Sequence, residues 1–320
     1  MARYIVRRLL ISVPILWGIT LMTFVMASLM PGDYVDSLIP REQRQLVSPE
    51  YLARLREHYG LNKSVPERYV IWMRELLRGN LGYSFSSGEP VLNEMLKRLP
   101  ATLELTISAM LFSVIAGTAL GLISAIKQYS ILDHLLTFLG FFWISTPNFV
   151  FALAALFLFS FVFRLFPTGG EGPVGEEFGL LTRLHYLFLP ATILGLEGVA
   201  GYMRYTRSSL LEVLRSDYIT TARAKGLTKR VILLRHAFQN ALLPLITIMG
   251  LQLPGLIGGA FIIETIFVWP GLGRFSLLAI TERNYPVIMA VNLIASSMVL
   301  LSNLVTDIVY SVADPRIRYE

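Results

Sequence analysis

Any chemistry in this chain would have to come from very few side chains. There is no cysteine, and the four histidines, His58, His134, His185 and His236, stand too far apart for the ligand spacing of a metal site. No G-x-x-x-x-G-K-[ST] run is present to cradle a nucleotide phosphate, and no H-E-x-x-H to hold zinc. Gly82-Tyr83-Ser84-Phe85-Ser86 opens like a nucleophile elbow, but Ser86 stands where the second glycine is required. It reads as an ordinary loop. No catalytic residue, metal or bound cofactor is expected in this chain.

Two other groups of residues have types and spacing that could do work. The first is the stretch Asp217–Pro244, DYITTARAKGLTKRVILLRHAFQNALLP, a polar and basic segment between two apolar ones. Seven of the 28 Lys and Arg residues fall between Arg207 and Arg235. Asp217 suits an N-cap, a short helix can run from it to Lys225, and Gly226 suits the left-handed stop. Such a segment is built to dock onto something.

The second group is polar residues inside apolar runs. Glu197 is the one acid near the middle of a candidate membrane span, where an ionised carboxylate costs about 2.5–3.5 kcal/mol on insertion scales. Arg204, seven residues on, lies on the same helical face about 10 Å along the axis. A role for Glu197 facing a cavity and a structural pairing are both open. Asn148 closes Ser145-Thr146-Pro147-Asn148, where proline removes a backbone hydrogen bond and kinks a helix; that kink can serve packing or substrate contact. Gln252 sits in a later run with Pro244, Pro254, Gly255, Gly258 and Gly259. Asn148, Glu197 and Gln252 are the candidate lining of a translocation pathway.

The elements that must position these residues follow from composition. The 320 residues are 54% hydrophobic and 16% charged, against about 25% charged for a soluble domain. Charge-free runs account for the deficit: Leu9–Met30, Leu105–Ile126, Leu135–Phe163, Ala237–Ile263 and Tyr285–Thr306. Each is long enough at 1.5 Å per residue to cross a hydrocarbon core of about 30 Å. Leu187–Tyr205, interrupted by Glu197 and Arg204, makes a sixth. The expectation is an all-α integral membrane protein with six spans.

The net charge of +6 then reads as basic loops on the cytoplasmic face, not as a nucleic-acid surface. Leu9–Met30 is too long for a signal-peptide core; it reads as a retained first span, with Arg3, Arg7 and Arg8 holding the N-terminus inside. Both termini are expected in the cytoplasm. The loop Pro31–Pro100 carries ten bases and nine acids, and a loop of that length translocates largely regardless of charge. Its punctuation predicts helices: Ser48-Pro49-Glu50 opens one that Gly60 closes, Pro66-Glu67 opens another that ends before Gly79, and a third runs from Pro90 to Arg98. Leu52, Leu55 and Tyr59 share a face, so these helices should lie on the membrane domain. Gly117-x-x-x-Gly121 permits a close helix contact, and Phe267–Arg274 (FVWPGLGR) reads as a turn with an interfacial tryptophan.

At Asp217–Pro244 the sequence resembles the EAA loop of ABC-transporter permease subunits in the oligopeptide/dipeptide/nickel importer branch. Thr220, Thr221 and Ala222 stand at E-A-A and Gly226 at the glycine, while His236, Ala237, Phe238 and Gln239 occupy the I-x-L-P positions, a departure from the general pattern. Thr221–Leu227 (TARAKGL) and Arg235–Pro244 (RHAFQNALLP) are typical of the branch. The likeness extends over the chain, through Arg3–Asp33, Leu77–Val91, Arg98–Leu105, FVWPGLGR and Asp314–Tyr319.

The resemblance implies a type I importer permease fold in a bacterial cytoplasmic membrane. Residues 1–97 would form the first span and the helical extracytoplasmic loop, 98–310 a permease core with the coupling loop at 207–240, and 311–320 a cytoplasmic tail. It implies a second homologous permease subunit, two ABC ATPase subunits that use ATP and Mg, and an extracytoplasmic substrate-binding protein. Asp217, Tyr218, Thr221, Ala222, Arg223, Ala224, Lys225 and Gly226 would form the coupling helix seated in an ATPase groove, with Thr221, Ala222 and Ala224 facing outward. Short peptides are the expected cargo, nickel chelates or oligosaccharides the alternative. A passive channel subunit is the competing class, and it gives the basic docking loop no purpose.

Overall fold

The computed structural model describes residues 2–39, 47–238, 241, 245, 248–249 and 260–313. Among them the regular structure is helical, apart from one isolated bridge between Tyr83 and Pro90. The chain divides into two compact units, Met1–Thr102 with Pro270–Leu300, and Leu103–Trp269 with Leu301–Glu320. The contacts thus return residues 270–300, expected within the permease core, to the unit that holds the N-terminal segment.

In the first unit, α1 (Ala2–Leu29) is a 28-residue apolar helix. The helices α2 (Tyr34–Leu38), α3 (Pro49–His58) and α4 (Val65–Leu77) follow. The ends of α3 and α4 are where the punctuation predicts. The Ser48 hydroxyl accepts from the Tyr51 amide at the start of α3, and Gly60 and Gly79 take positive φ just past α3 and α4. The α4 helix rests on α1: the Thr20 and Tyr69 hydroxyls lie 3.1 Å apart, and Phe24 meets Tyr69 edge to face. Arg56 of α3 reaches Asp33 at 2.7 Å and Asp36 at 3.2 Å, and the Asp33 hydrogen bond raises the guanidinium pKa. Then come α10 (Leu272–Thr281) and the start of α11 (Tyr285–Ala313), whose Asn292 amide donates to the Thr23 hydroxyl of α1. Leu81, Val91, Met95, Leu272, Val287 and Val291 close this unit's core.

The predicted break before span two is absent. The α5 helix (Val91–Ile126) runs unbroken for 36 residues, with Pro100 inside it. A proline there removes one intrahelical bond, and the long apolar run carries the helix across the loss. The Gly-x-Ser-like loop is structural. The buried Ser84 hydroxyl accepts from the Asn284 amide at 3.0 Å, and the Phe85 amide donates to the Asn284 carbonyl oxygen at 3.1 Å.

The second unit is built on α5, α6 (Ile131–Ser145), α7 (Asn148–Ala155, continuing as a π-helix over Leu156–Val162) and α8 (Leu180–Leu214). The expected kink at Pro147 is a full break: α6 and the helix from Asn148 to Val162 meet at 103°. The cause is local. The residue before a proline is driven out of the helical region, Thr146 is accordingly extended (φ −104°, ψ 126°), and Pro147 is extended too (φ −58°, ψ 138°). Two consecutive extended residues turn the chain aside.

The glycine spacing in α5 does what it allows. A Cβ on Gly117 would lie 2.6 Å from the Tyr202 Cβ, and one on Gly121 would lie 2.6 Å from the Met203 carbonyl oxygen. The α5 and α8 backbones therefore meet at these residues with no room for a side chain. Trp269, expected at an interface, is fully buried, as is Glu264. The Trp269 amide donates to the Glu264 carbonyl at 2.8 Å, and Val268 pays for that turn with φ +52°, a strained value for a β-branched residue.

Four described helices are long and apolar enough to cross a membrane: Tyr4–Leu29, Val91–Ile126, Leu180–Leu214 and Tyr285–Ile308. The bent pair makes a fifth if it crosses as one. The expected span Ala237–Ile263 falls mostly outside the described residues, and Gln252 with it.

Candidate functional site: a docking helix on the end of a long rod

The α8 helix extends well beyond the segment 187–205 expected for span four, reaching from Leu180 to Leu214. At 1.5 Å per residue it is longer than a bilayer core is thick. It ends at Arg215, and α9 (Asp217–Ala224) starts two residues later. The cap sits one residue earlier than expected. Ser216 is the N-cap, its hydroxyl donates to the Val213 carbonyl at 2.6 Å, and Asp217 is the first helical residue. There the carboxylate still meets the positive end of the helix dipole.

The other end of α9 closes as the glycine predicts. Gly226 takes φ +77°, the Gly226 amide donates to the Arg223 carbonyl at 3.0 Å, and the Leu227 amide to the Ala222 carbonyl at 3.3 Å. This pair of bonds is a Schellman closure.

One face of α9 is anchored. Ile219 and Ala222 are buried in a cluster with Leu210 of α8, Ala125 of α5, and Ile232, Ala237 and Ala241. The expectation that Ala222 faces outward is corrected here: it is 8% exposed and turned onto the protein's own core. An alanine three residues after Ile219 shares that residue's face, and the apolar face goes inward. The exposed side carries Asp217, Tyr218, Thr221, Arg223, Ala224 and Lys225, with Arg230 and Arg235 exposed after it. The result is a short, firmly seated helix presenting a basic surface.

A buried ion pair braces the same end of α8. Arg207 donates from Nε and Nη2 to the two carboxylate oxygens of Asp133, both at 2.8 Å. Asp133 also accepts from the Ser124 hydroxyl and from the Tyr129 amide at 2.9 Å. The turn between α5 and α6 is thereby locked to α8 two turns before its end. The sequence reading passed over both residues, although Ser130-x-x-Asp133 has the spacing of a helix-start box, and the Ser130 hydroxyl does accept from the Asp133 amide.

Of the candidate pathway residues, the structure brings two together. The Asn148 amide, in the first turn of α7, donates to a Glu197 carboxylate oxygen at 3.3 Å. Glu197 is exposed, and no cation lies within salt-bridge distance of it among the described residues. The alternative that Glu197 pairs with Arg204 is not realised. Arg204 lies over the Tyr205 ring at 5.6 Å and lines a cavity of about 240 Å³ between α6 and α8.

The arrangement is a long apolar helix that ends in a short, seated helix with an exposed basic face. Residues 117–319 match the family described as binding-protein-dependent transport system inner membrane component, and residues 1–106 match the N-terminal family of the same membrane components. The chain belongs to this family of multi-pass inner-membrane permeases.

Over the full length of both chains it is 41% identical to the oligopeptide transport system permease protein AppB of Bacillus subtilis. It is 38% identical to the dipeptide transport system permease protein DppB of Escherichia coli, again over all of both chains. In fold it is similar to a chain of the inward-facing MetNI methionine ABC transporter, with a TM-score of 0.57 at 16% identity, covering 70% of this chain and 97% of that one.

Proposed function

We propose that this chain is one of two permease subunits of an ATP-driven importer of short peptides. The exposed face of α9 is the docking surface for an ATPase subunit. Hydrolysis of ATP with Mg in the ATPase moves a groove, the seated helix follows it, and α8 carries the motion into the membrane. The observation that carries this reading is the junction itself: α9 is anchored by Ile219 and Ala222 while its other face is left exposed. A docking helix fixed this way transmits displacement to the rod instead of absorbing it.

Peptide cargo is favoured by the two relatives named above, an oligopeptide and a dipeptide transport system permease. The partners on this reading are a homologous permease, two ATPase subunits and an extracytoplasmic binding protein that delivers the peptide, with both termini of this chain in the cytoplasm. The path for cargo runs along α8 past Asn148 and Glu197.

Purifying the tagged chain from membranes tests the assembly. Two P-loop subunits and a second permease should copurify, and proteoliposomes holding that complex should take up a tripeptide only with ATP and a loaded binding protein. Uptake without ATP would support a passive channel instead.

A further inference from the structure

Two charges on one face of α8, both within the segment expected to cross the membrane, meet no partner of opposite sign among the described residues. Among the described residues Glu197 meets the neutral Asn148 amide, and Arg204 meets the Tyr205 ring face. Both side chains are exposed. Nearby, Asp133 and Arg207 show what a satisfied charge pair looks like in this unit, with two 2.8 Å bonds. Charges left open inside a span cost several kcal/mol, so a partner that arrives and leaves is the simplest reason for keeping them.

The two charges are seven residues apart, about 10 Å along the helix axis. The space beside that face is not empty surface. Starting one turn after Glu197, a cavity of about 240 Å³ is lined by Thr137, Gly140, Phe141 and Ile144 of α6, and by Ala200 and Arg204 of α8. Its walls are mostly apolar and its volume lies just under the lower end of small-ligand pockets, about 300 Å³. Arg204 stands in the wall of this slot, with Arg207 and Ser208 beyond it, and Glu197 stands one helical turn before the slot begins. A guanidinium in an apolar slot and a carboxylate one turn outside it, on the same helix face, match a zwitterion with an apolar body.

We infer that Glu197 and Arg204 bracket the free termini of the peptide in transit, Glu197 taking the α-ammonium and Arg204 the α-carboxylate, with side chains lodged against Phe141 and Ile144. This deepens the peptide-importer reading and rests on it. An extended chain covers about 3.3–3.6 Å per residue, so three residues span the bracket directly, and the reach of the two side chains accommodates one residue fewer or more. Asn148 is a positioning residue, holding the Glu197 carboxylate by its amide. With α8 running inward, the peptide would stand with its carboxylate toward the cytoplasm.

The test uses the complete transporter in proteoliposomes, with the binding protein loaded with trialanine. Glu197→Gln and Arg204→Gln should each lower maximal uptake about tenfold, while the half-saturating concentration of loaded binding protein and the rate of ATP hydrolysis hold, so that peptide moved per ATP falls. Glu197→Asp and Arg204→Lys should recover most of the uptake, because each keeps its charge. A merely structural role would move stability and assembly, not the ratio of peptide to ATP.

If the wild-type complex takes up no peptide, the importer reading itself fails. If it does, and the two glutamine variants equal it, the bracket alone is wrong. Loss of the second permease subunit from either variant would also overturn the bracket, by showing that these charges hold the assembly.

Discussion

Asp133 and Arg207 show how much a single pair of side chains can decide. The carboxylate is 3% exposed and receives a guanidinium fork, a hydroxyl and a backbone amide. Exposed ion pairs contribute about 0–1 kcal/mol. Breaking this one should cost about 3 kcal/mol, the low end for a buried pair, because Arg207 keeps 28% of its exposure. Asp133→Ala and Arg207→Ala should both show that loss in thermal unfolding of the detergent-solubilised complex. Arg207→Lys should lose a substantial part of it, since an ammonium cannot reproduce the two-pronged contact. Unchanged melting in all three would reduce the pair to surface decoration.

At the level of elements, the contact between α5 and α8 depends on two absent side chains. Gly117→Ala and Gly121→Ala place a Cβ within 2.6–2.7 Å of α8 atoms, backbone carbonyls among them, and a carbonyl cannot step aside as a side chain can. Each should destabilise by about 1–3 kcal/mol, the usual cost of overpacking. Gly18→Ala is the control: nothing lies within 4 Å of its Cβ position, and alanine in a helix interior should add a few tenths to 1 kcal/mol of stability. Comparing unfolding midpoints of the three variants separates the steric effect from helix propensity.

The α9 helix makes a sharper contrast. Ala222→Trp should damage folding of the unit, because Ala222 is packed among Ile219, Leu210 and Ile232. Thr221→Trp, on the exposed face, should leave the melting temperature intact and cost the ATPase subunits their place. Gly226→Val should strain the closure of α9 by about 1 kcal/mol or more and lower transport per ATP hydrolysed. Subunit stoichiometry by quantitative gel and the transport-to-hydrolysis ratio decide among these outcomes. Retention of the ATPase by Thr221→Trp would move the docking surface away from α9.

For the whole molecule, the orientation reading turns on Arg3, Arg7 and Arg8 before α1 and on the basic segment after α8. The chain has no cysteine, so single cysteines report cleanly. Ser87 and Thr228 are both exposed. A cysteine at Ser87 should react with an impermeant maleimide in intact cells, and one at Thr228 only after permeabilisation. The opposite pattern would place both termini outside and remove α9 from the compartment that holds ATP.

Much of this protein is written locally. Apolar runs longer than a bilayer, Ser48 and Gly60 around α3, and Gly226 at the close of α9 act through backbone sterics and hydration, which depend on neighbours a few residues away. The membrane class, the ends of α3 and α4 and the left-handed close of α9 were therefore legible from residue order. What the tertiary structure decided involves partners far apart in the chain: Ala222 turned inward onto Leu210 and Ala125, Trp269 buried, Arg207 closing on Asp133, Asn148 reaching Glu197 while Arg204 lies over the Tyr205 ring. Residue order shows that Glu197 and Arg204 share a face of α8. Only the packing of α6 and α7 against that face shows that neither charge meets its opposite among the described residues, because desolvation and pairing depend on what other elements bring within a few ångströms.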